Sequence, residues 1–184
     1  MQGARLPAPL APLSFVRDIM PQFHFWSIAQ CLVVLTLANG VPVIARKMLG
    51  DWLAWPIDGG RLFWDGQPLL GKSKTLRGFV LAILAAAIGA PVVGLEIETG
   101  VLIGISAMVG DMLSSFIKRR LRLASSAEAP GLDQVPESLL PFLVVSSHVG
   151  FAVWDILIGV CAFWIGELLV SRLLYTLRIR DRPY

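Results

Sequence analysis

Four stretches of this chain are too apolar for a fold surrounded by water. No Asp, Glu, Lys or Arg occurs from Ile19 to Ala45 or from Gly78 to Leu95, and Thr99 to Ile117 is broken only by Asp111. A bilayer core of about 30 Å takes about 20 helical residues, so each of these runs is one span. The fourth run, Ser138 to Leu177, is too long for one span and contains Pro141, Gly150, Asp155 and Gly159. It divides near Gly150 to Asp155. The spacing predicts helices over about 23–45, 77–96, 99–118, 137–152 and 155–177. Composition agrees: 55% of residues are apolar and 16% charged, where soluble domains carry about 25% charged. A net charge of +3 excludes a strongly basic nucleic-acid-binding domain. Cys31 and Cys161 both lie inside apolar runs and read as small core residues, not as a disulfide or metal pair. The predicted fold class is all-α, a polytopic membrane helix bundle with five transmembrane helices and two long cytoplasmic loops. Residues 1–184 form a single integral membrane domain, with an irregular outer N-terminal tail over about 1–18 and a basic cytoplasmic tail over about 178–184.

The basic residues orient this bundle. Arg46, Lys47, Arg61, Lys72, Lys74 and Arg77 belong to the first long loop, and Lys118, Arg119, Arg120 and Arg122 open the second. Arg172, Arg178, Arg180 and Arg182 belong to the tail, whereas the two short connections carry no basic residue. By the positive-inside rule both long loops and the C-terminus are cytoplasmic and the N-terminus is outside. A four-span chain would put the Arg-rich tail opposite the basic loops. Arg5 and Arg17 ahead of an apolar stretch imitate a signal peptide, but the stretch is long and a basic segment follows it, so an uncleaved first helix is expected. No internal repeat of the kind found in inverted-repeat transporters is visible.

Three features carry chemistry. Asp111 lies inside the third span, and Asp111, Ser115 and Lys118 recur at i, i+4 and i+7 on one helical face. An acidic side chain in hydrocarbon costs about 2.5–3.5 kcal/mol on insertion scales, so it is kept for a function or for a partner such as His148. The first loop, Pro56 to Gly78, combines Asp58 and Asp65 with glycine turns and with Arg61, Lys72, Lys74 and Arg77. Glycines let a backbone approach a phosphate and the cations neutralise it. Gly66 to Ser73 matches the G-x-x-x-x-G-K-[ST] phosphate-loop pattern, yet no α/β unit surrounds it and a membrane helix follows, so that fold is excluded. In the second loop, Asp133 sits in a Pro/Gly-turned segment before span four. Taken alone it reads as a helix start, with Asp133 or Ser138 as cap and Pro136 in the first turn. Together the two loops and the inner end of span three set carboxylates beside cations at a water–lipid boundary. Carboxylates can share Mg²⁺ with substrate phosphates, while Lys and Arg neutralise a polyphosphate leaving group. This is equipment for phosphoryl or nucleotidyl transfer.

At these residues the sequence resembles the CDP-archaeol synthases and, more distantly, the CDP-diacylglycerol synthases (phosphatidate cytidylyltransferases). The resemblance runs from about Asn39 to Pro136. It rests on Asn39 with Pro42, Pro56-Ile-Asp58-Gly, Asp65-Gly66 and Lys74-Thr75-Leu76-Arg77-Gly78 in the first half. Gly110-Asp111, Ser115-Phe-Ile-Lys118-Arg119-Arg120 and Pro130-Gly-Leu-Asp133-Gln134 follow in order. One departure is Gly71-Lys72-Ser73-Lys74-Thr75, where archaeal members typically read Gly-Asp-Gly-Lys-Thr; Lys72 removes a carboxylate and adds phosphate affinity. The resemblance implies a Mg²⁺-dependent membrane enzyme that joins CTP to a lipid phosphate, giving a CDP-lipid and pyrophosphate in phospholipid biosynthesis. It implies Asp111 and Asp133 as metal ligands and, with Lys118, as the catalytic set. Ser115, Lys118 and Arg119 would contact the nucleotide's phosphates, and Lys74 and Arg77 would orient the lipid phosphate or the leaving pyrophosphate. Asp58 and Asp65 would shape the loop or hold a second metal. Partners are CTP, the lipid phosphate and membrane lipids, with no nucleic acid.

Phosphatidic acid is an alternative substrate, since apolar grooves for either lipid use the same residue types. A small transporter or scaffold is the non-enzymatic alternative, with Asp111, Glu167 and His148 facing a pore. A CDP-alcohol phosphotransferase is excluded, because neither Asp58-Gly59-Gly60-Arg61 nor Asp65-Gly66-Gln67-Pro68 fits its D-G-x-x-A-R motif. His24 and His148 fall in helices without a catalytic assignment. Glu96, Glu98 and Asp155 read as outer-surface charges.

Overall fold

The structure is a computed structural model and is described here over residues 23–124 and 129–176, leaving aside the side chains of 173–175. Five helices follow in chain order: α1 (Phe25–Leu49), α2 (Leu76–Val92), α3 (Ile97–Arg120), α4 (Gln134–Val149) and α5 (Val153–Thr176). All lie within a few residues of the predicted spans. The tails over 1–18 and 178–184, with Arg178, Arg180 and Arg182, lie outside the described residues. Among the described residues the only β pairing is two isolated bridges, so no sheet surrounds the phosphate-loop look-alike. By length and composition α1, α3 and α5 can each cross a membrane. The 17-residue α2 and the 16-residue α4 are shorter, about 24–26 Å at 1.5 Å per residue.

Local chemistry sets the ends. Gly50 closes α1 at φ 52°, donating to the Arg46 carbonyl at 3.0 Å, with Arg46 and Lys47 facing the negative end of the helix dipole. Thr75 caps α2 by accepting the Gly78 N–H at 3.2 Å. Gly150, left-handed at φ 78°, ends α4 and donates to Ser146 at 2.9 Å, dividing the fourth apolar run where its glycine predicts.

Small residues let the helices meet. Ala82, Ala86 and Ala90 of α2 are fully buried, and Gly100 and Gly104 of α3 face that stripe. A Cβ on Gly100 would stand 2.6 Å from the Ala90 Cβ, and one on Gly104 2.8 Å from the Ile83 Cα. In lipid, where apolar surface gives no advantage over the tails, such close contact supplies the association. Farther along the chain the ring of Phe142 covers Gly159, which packs α4 on α5.

Two sequence expectations are corrected here. Asp155 is not a surface charge: it is fully buried. Its carboxylate accepts the His24 backbone N–H at 3.0 Å and the Ala152 N–H at 2.9 Å, and pairs with the His24 ring Nδ1 at 2.9 Å. The bond to Ala152 is the reach-back half of a capping box, satisfying an orphan donor at the start of α5. Glu98 does stay exposed, 4.0 Å from His148. Cys31 is buried as a core residue, but Cys161 is exposed, and both are free.

Candidate active site

The first loop is a folded platform. Bridges join Pro56 to Thr75 and Leu62 to Pro68, drawing its two halves together. Asp58 organises it from inside. Its carboxylate accepts the N–H groups of Gly60 at 2.9 Å, Leu70 at 2.9 Å and Gly71 at 3.3 Å. Burial alone would raise the Asp58 pKa, but these three donors outweigh it and hold the carboxyl below its usual range. A depressed carboxylate pKa stabilises the fold above the unfolded value and is lost as pH falls through the folded one. Acidification below about pH 4 is therefore expected to loosen this loop, followed by hydrogen exchange at Leu70 and Gly71, and Asp58→Asn should flatten that dependence.

Asp65 has the other structural task. It accepts the Gln67 N–H at 3.0 Å and pairs with Arg120 at 3.1 Å, and Arg120 also donates to the Pro68 carbonyl at 2.7 Å. The loop is thereby fastened to the end of α3. Neither Asp58 nor Asp65 lines the cavity described next, so the loop-shaping alternative fits both better than a second metal. Arg77 lines that cavity but donates to the carbonyls of Trp52 and Gly50, bracing the turn after α1.

A cavity of about 630 Å³ opens between this platform and the ends of the helices. One wall, from α1, the loop and the start of α2, carries Arg46, Lys72, Lys74 and Arg77, with the single acid Asp51 beside them. The other, from α3, α4 and α5, carries Asp111, Asp133, Glu137 and Glu167 together with Lys118. Two ion pairs lie within it, the first joining the two walls and the second inside the acidic wall. Lys74 Nζ meets both oxygens of Asp111, at 2.6 and 2.5 Å, and Lys118 Nζ meets Asp133 Oδ1 at 2.7 Å. Asp133 also accepts the Ala129 N–H at 3.1 Å; it stands in the cap position of α4 without a side-chain capping bond. These pairs bring together four of the sequence candidates, Lys74, Asp111, Lys118 and Asp133, from residues far apart in the chain.

Besides Asp58 and Asp65, two candidates are not brought there. Ser115 and Arg119 are buried and do not line the cavity. The Arg119 guanidinium donates to the Ala124 carbonyl at 2.7 Å, holding the turn after α3. Arg119 lies eight residues past Asp111, about 80° around the helix at 100° per residue, so its stem leaves that face. In this structure both residues support α3 and its exit turn and stand outside the cavity. His148 does not pair with Asp111 either; Lys74 takes that place.

The sequence reading missed Glu137. It lies within the electrostatic field of Asp111, Glu167, Asp133 and Lys74. Its signal was the i, i+4 spacing from Asp133, which places both on one face of α4. Glu167 was visible as a second acid inside an apolar run, by the rule that marked Asp111. Asn39 also lines the cavity, and both polar atoms of its amide are buried without a protein partner. A buried amide left unpaired costs about 1–3 kcal/mol, which a ligand can recover.

The donor set can be tested against a divalent cation. Among the described residues no three His, Cys, Asp or Glu side chains gather closely enough to hold a metal by themselves. Asp111, Asp133 and Glu137 nevertheless share one cavity. That fits Mg²⁺, which takes one or two carboxylates and fills its shell from phosphates and water, and it does not fit a cation caged by protein alone.

The family model CarS-like, CDP-archaeol synthase, matches residues 92–184. The CDP-archaeol synthase of Hyperthermus butylicus is 45% identical over 106 residues, 53% of this chain and 59% of that protein. The one from Staphylothermus marinus is 29% identical over 179 residues, 90% of this chain and 97% of the relative. The one from Methanopyrus kandleri is 34% identical over 145 residues, 70% and 79% respectively. A solved structure, described as structural insight into an intramembrane enzyme for archaeal membrane lipids biosynthesis, superposes with a TM-score of 0.63 at 30% identity. That match covers 77% of this chain and 90% of the other.

Proposed function

The chain belongs to the CDP-archaeol synthase family, and from that premise we propose that its two-walled cavity is where CTP and an ether-lipid phosphate react. It is a membrane cytidylyltransferase, making the CDP-activated, archaeol-type lipid. An oxygen of the lipid phosphate attacks the α-phosphorus of CTP. One P–O bond forms, the α–β bridging bond breaks, and pyrophosphate leaves. The nucleophile is already an anion, so no Ser–His or Cys–His pair is required. Positioning and charge neutralisation are what the protein supplies.

The two ion pairs carry this reading. Each lysine is neutralised by an aspartate until a stronger anion arrives. A triphosphate entering the cavity competes for Lys74 and Lys118, and in turning to it they uncover Asp111 and Asp133. Those two carboxylates, with Glu137 beside them, are the residues that would hold Mg²⁺. When bound there, a divalent cation would supply phosphate neutralisation and a more electrophilic α-phosphorus. Lys72, exposed at the rim, replaces the family's acidic residue and adds a cation for the phosphates. Asn39 offers one donor and one acceptor to the substrate. The cavity end faces the cytoplasm, because Arg46, Lys47 and Lys118 to Arg120 cluster there. By the same rule the start of α1 lies outside and the end of α5 inside.

A pore for transport would need polar groups along the whole bundle. His148 instead pairs with Glu98, whereas Asp111 and Glu167 share the cavity with the basic wall. The test is pyrophosphate release from CTP with Mg²⁺ and a panel of lipid phosphates. Release is expected with the ether-linked phosphate; none with any ether or ester lipid would sink the enzyme reading, and preference for phosphatidic acid would move the substrate. Within that assay Lys118→Ala should raise the KM for CTP by about 10- to 100-fold, the loss of one charge-assisted contact, with the KM for lipid little changed. An unaltered CTP dependence would contradict its placement on the nucleotide.

A further inference from the structure

One part of the first loop stays outside the cavity. The turn from Leu62 to Pro68 is clamped to the last turn of α3: Phe63 packs edge-on against Phe116 at 5.4 Å, and the Arg120 guanidinium covers both rings at 4.4 and 4.9 Å. Leu113, Phe116 and Arg120 lie on one face of α3, and Leu113 is 45% exposed although apolar. That face of a helix long enough to span the membrane is turned to lipid. Phe116 is four residues inward of Arg120, about 6 Å deeper along the axis. The hairpin therefore hangs down the lipid-facing flank of α3. At its tip Trp64 stacks on Phe63 at 5.4 Å and is 96% exposed, with Leu62 beside it at 66%.

We propose that this hairpin is an interfacial membrane anchor, with Trp64 and Leu62 seated at the boundary of headgroups and acyl chains on the cavity side. Trp is favoured at that depth because its ring is apolar while its N–H needs a polar partner. Charge points to the same occupant. Lys47 and Arg61 are exposed and outnumber the exposed acid Asp51, whereas Asp58 is turned inward onto backbone N–H groups and Asp65 is neutralised by Arg120. The outward charge of the loop is thus basic and suits acidic headgroups. Through this anchor the platform that roofs the cavity is fixed at headgroup height, the level at which a lipid phosphate lies.

The full chain reconstituted in vesicles of phosphatidylglycerol and phosphatidylcholine tests this without any assay of turnover. The Trp64 contribution is the tryptophan emission lost on Trp64→Phe, or on Trp64→Tyr if the first variant folds poorly. It is expected to be blue-shifted, quenched by lipids brominated near the headgroup more than by those brominated near the chain end, and protected from aqueous iodide. Emission typical of water and open to iodide overturns the proposal. Emission that is shielded but indifferent to brominated lipid also overturns it, in favour of a second copy or another protein on this face.

Discussion

Asp111→Asn is expected to lower turnover by on the order of 10²–10³-fold at saturating CTP while the chain still folds. Both oxygens of Asp111 are engaged by Lys74, within 2.6 Å, so the ion pair is close and two-pronged. Asparagine keeps the shape and one acceptor but removes the charge. Two consequences separate cleanly. Lys74 loses its neutralising partner, yet it remains in the field of Glu137 and is partly open to water, so the stability cost is about 1–3 kcal/mol. The carboxylate that would share Mg²⁺ with the triphosphate is gone altogether. Thermal unfolding in detergent measures the first effect and single-turnover formation of CDP-lipid measures the second. Near-normal turnover in a stable variant would take Asp111 out of the metal site and leave it as a counter-ion for Lys74.

How far the sequence reaches depends on the range of the interaction being read. The five helices were legible because each depends on a local quantity, the length of an uncharged run and the glycine or cap that ends it. The grouping of Lys74, Asp111, Lys118 and Asp133 was legible only as chemistry, since carboxylates and cations at one membrane face need each other. Which lysine holds which aspartate was not. Asp155 shows the limit most clearly: its partner His24 lies 131 residues earlier, and nothing near Asp155 in the chain marks it as buried. Ser115 and Arg119 stand outside the cavity for the opposite reason. A motif groups them with Lys118, but the 100° step of a helix parts Arg119 from the Asp111 face and the packing of α3 buries both. Glu137 was hidden behind a valid explanation, because an acid in the first turn of a helix already suits the dipole. Only the approach of α4 to α3 turns that acid towards Asp111.

That approach rests on Gly110, and Gly110→Ala is expected to damage fold and activity together. A Cβ at this position would land on the Pro136 carbonyl oxygen and stand 2.8 Å from the Glu137 Cα. These are backbone atoms of α4, so no side-chain rotation relieves the contact and the two helices must move apart. Overpacking costs about 1–3 kcal/mol, with the upper part of that range expected where backbone meets backbone. The separation acts on the residue before Asp111 and on the turn that carries Glu137, so the carboxylates lose their register and the Lys118–Asp133 pair is stretched. Glycine-to-alanine exchange by itself favours a helix by about 1 kcal/mol, so the sign of the effect is diagnostic. Gly40 in α1 and Gly166 in α5 are the controls, since a Cβ at either meets nothing within 4 Å. Gly40→Ala and Gly166→Ala should leave the unfolding temperature unchanged or raised, whereas Gly110→Ala should lower it and reduce turnover by at least about tenfold. If all three variants behave alike, α4 does not lie against α3 at this point. Glu137 would then have no reason to face Asp111, and the anionic wall of the cavity would have to be built another way.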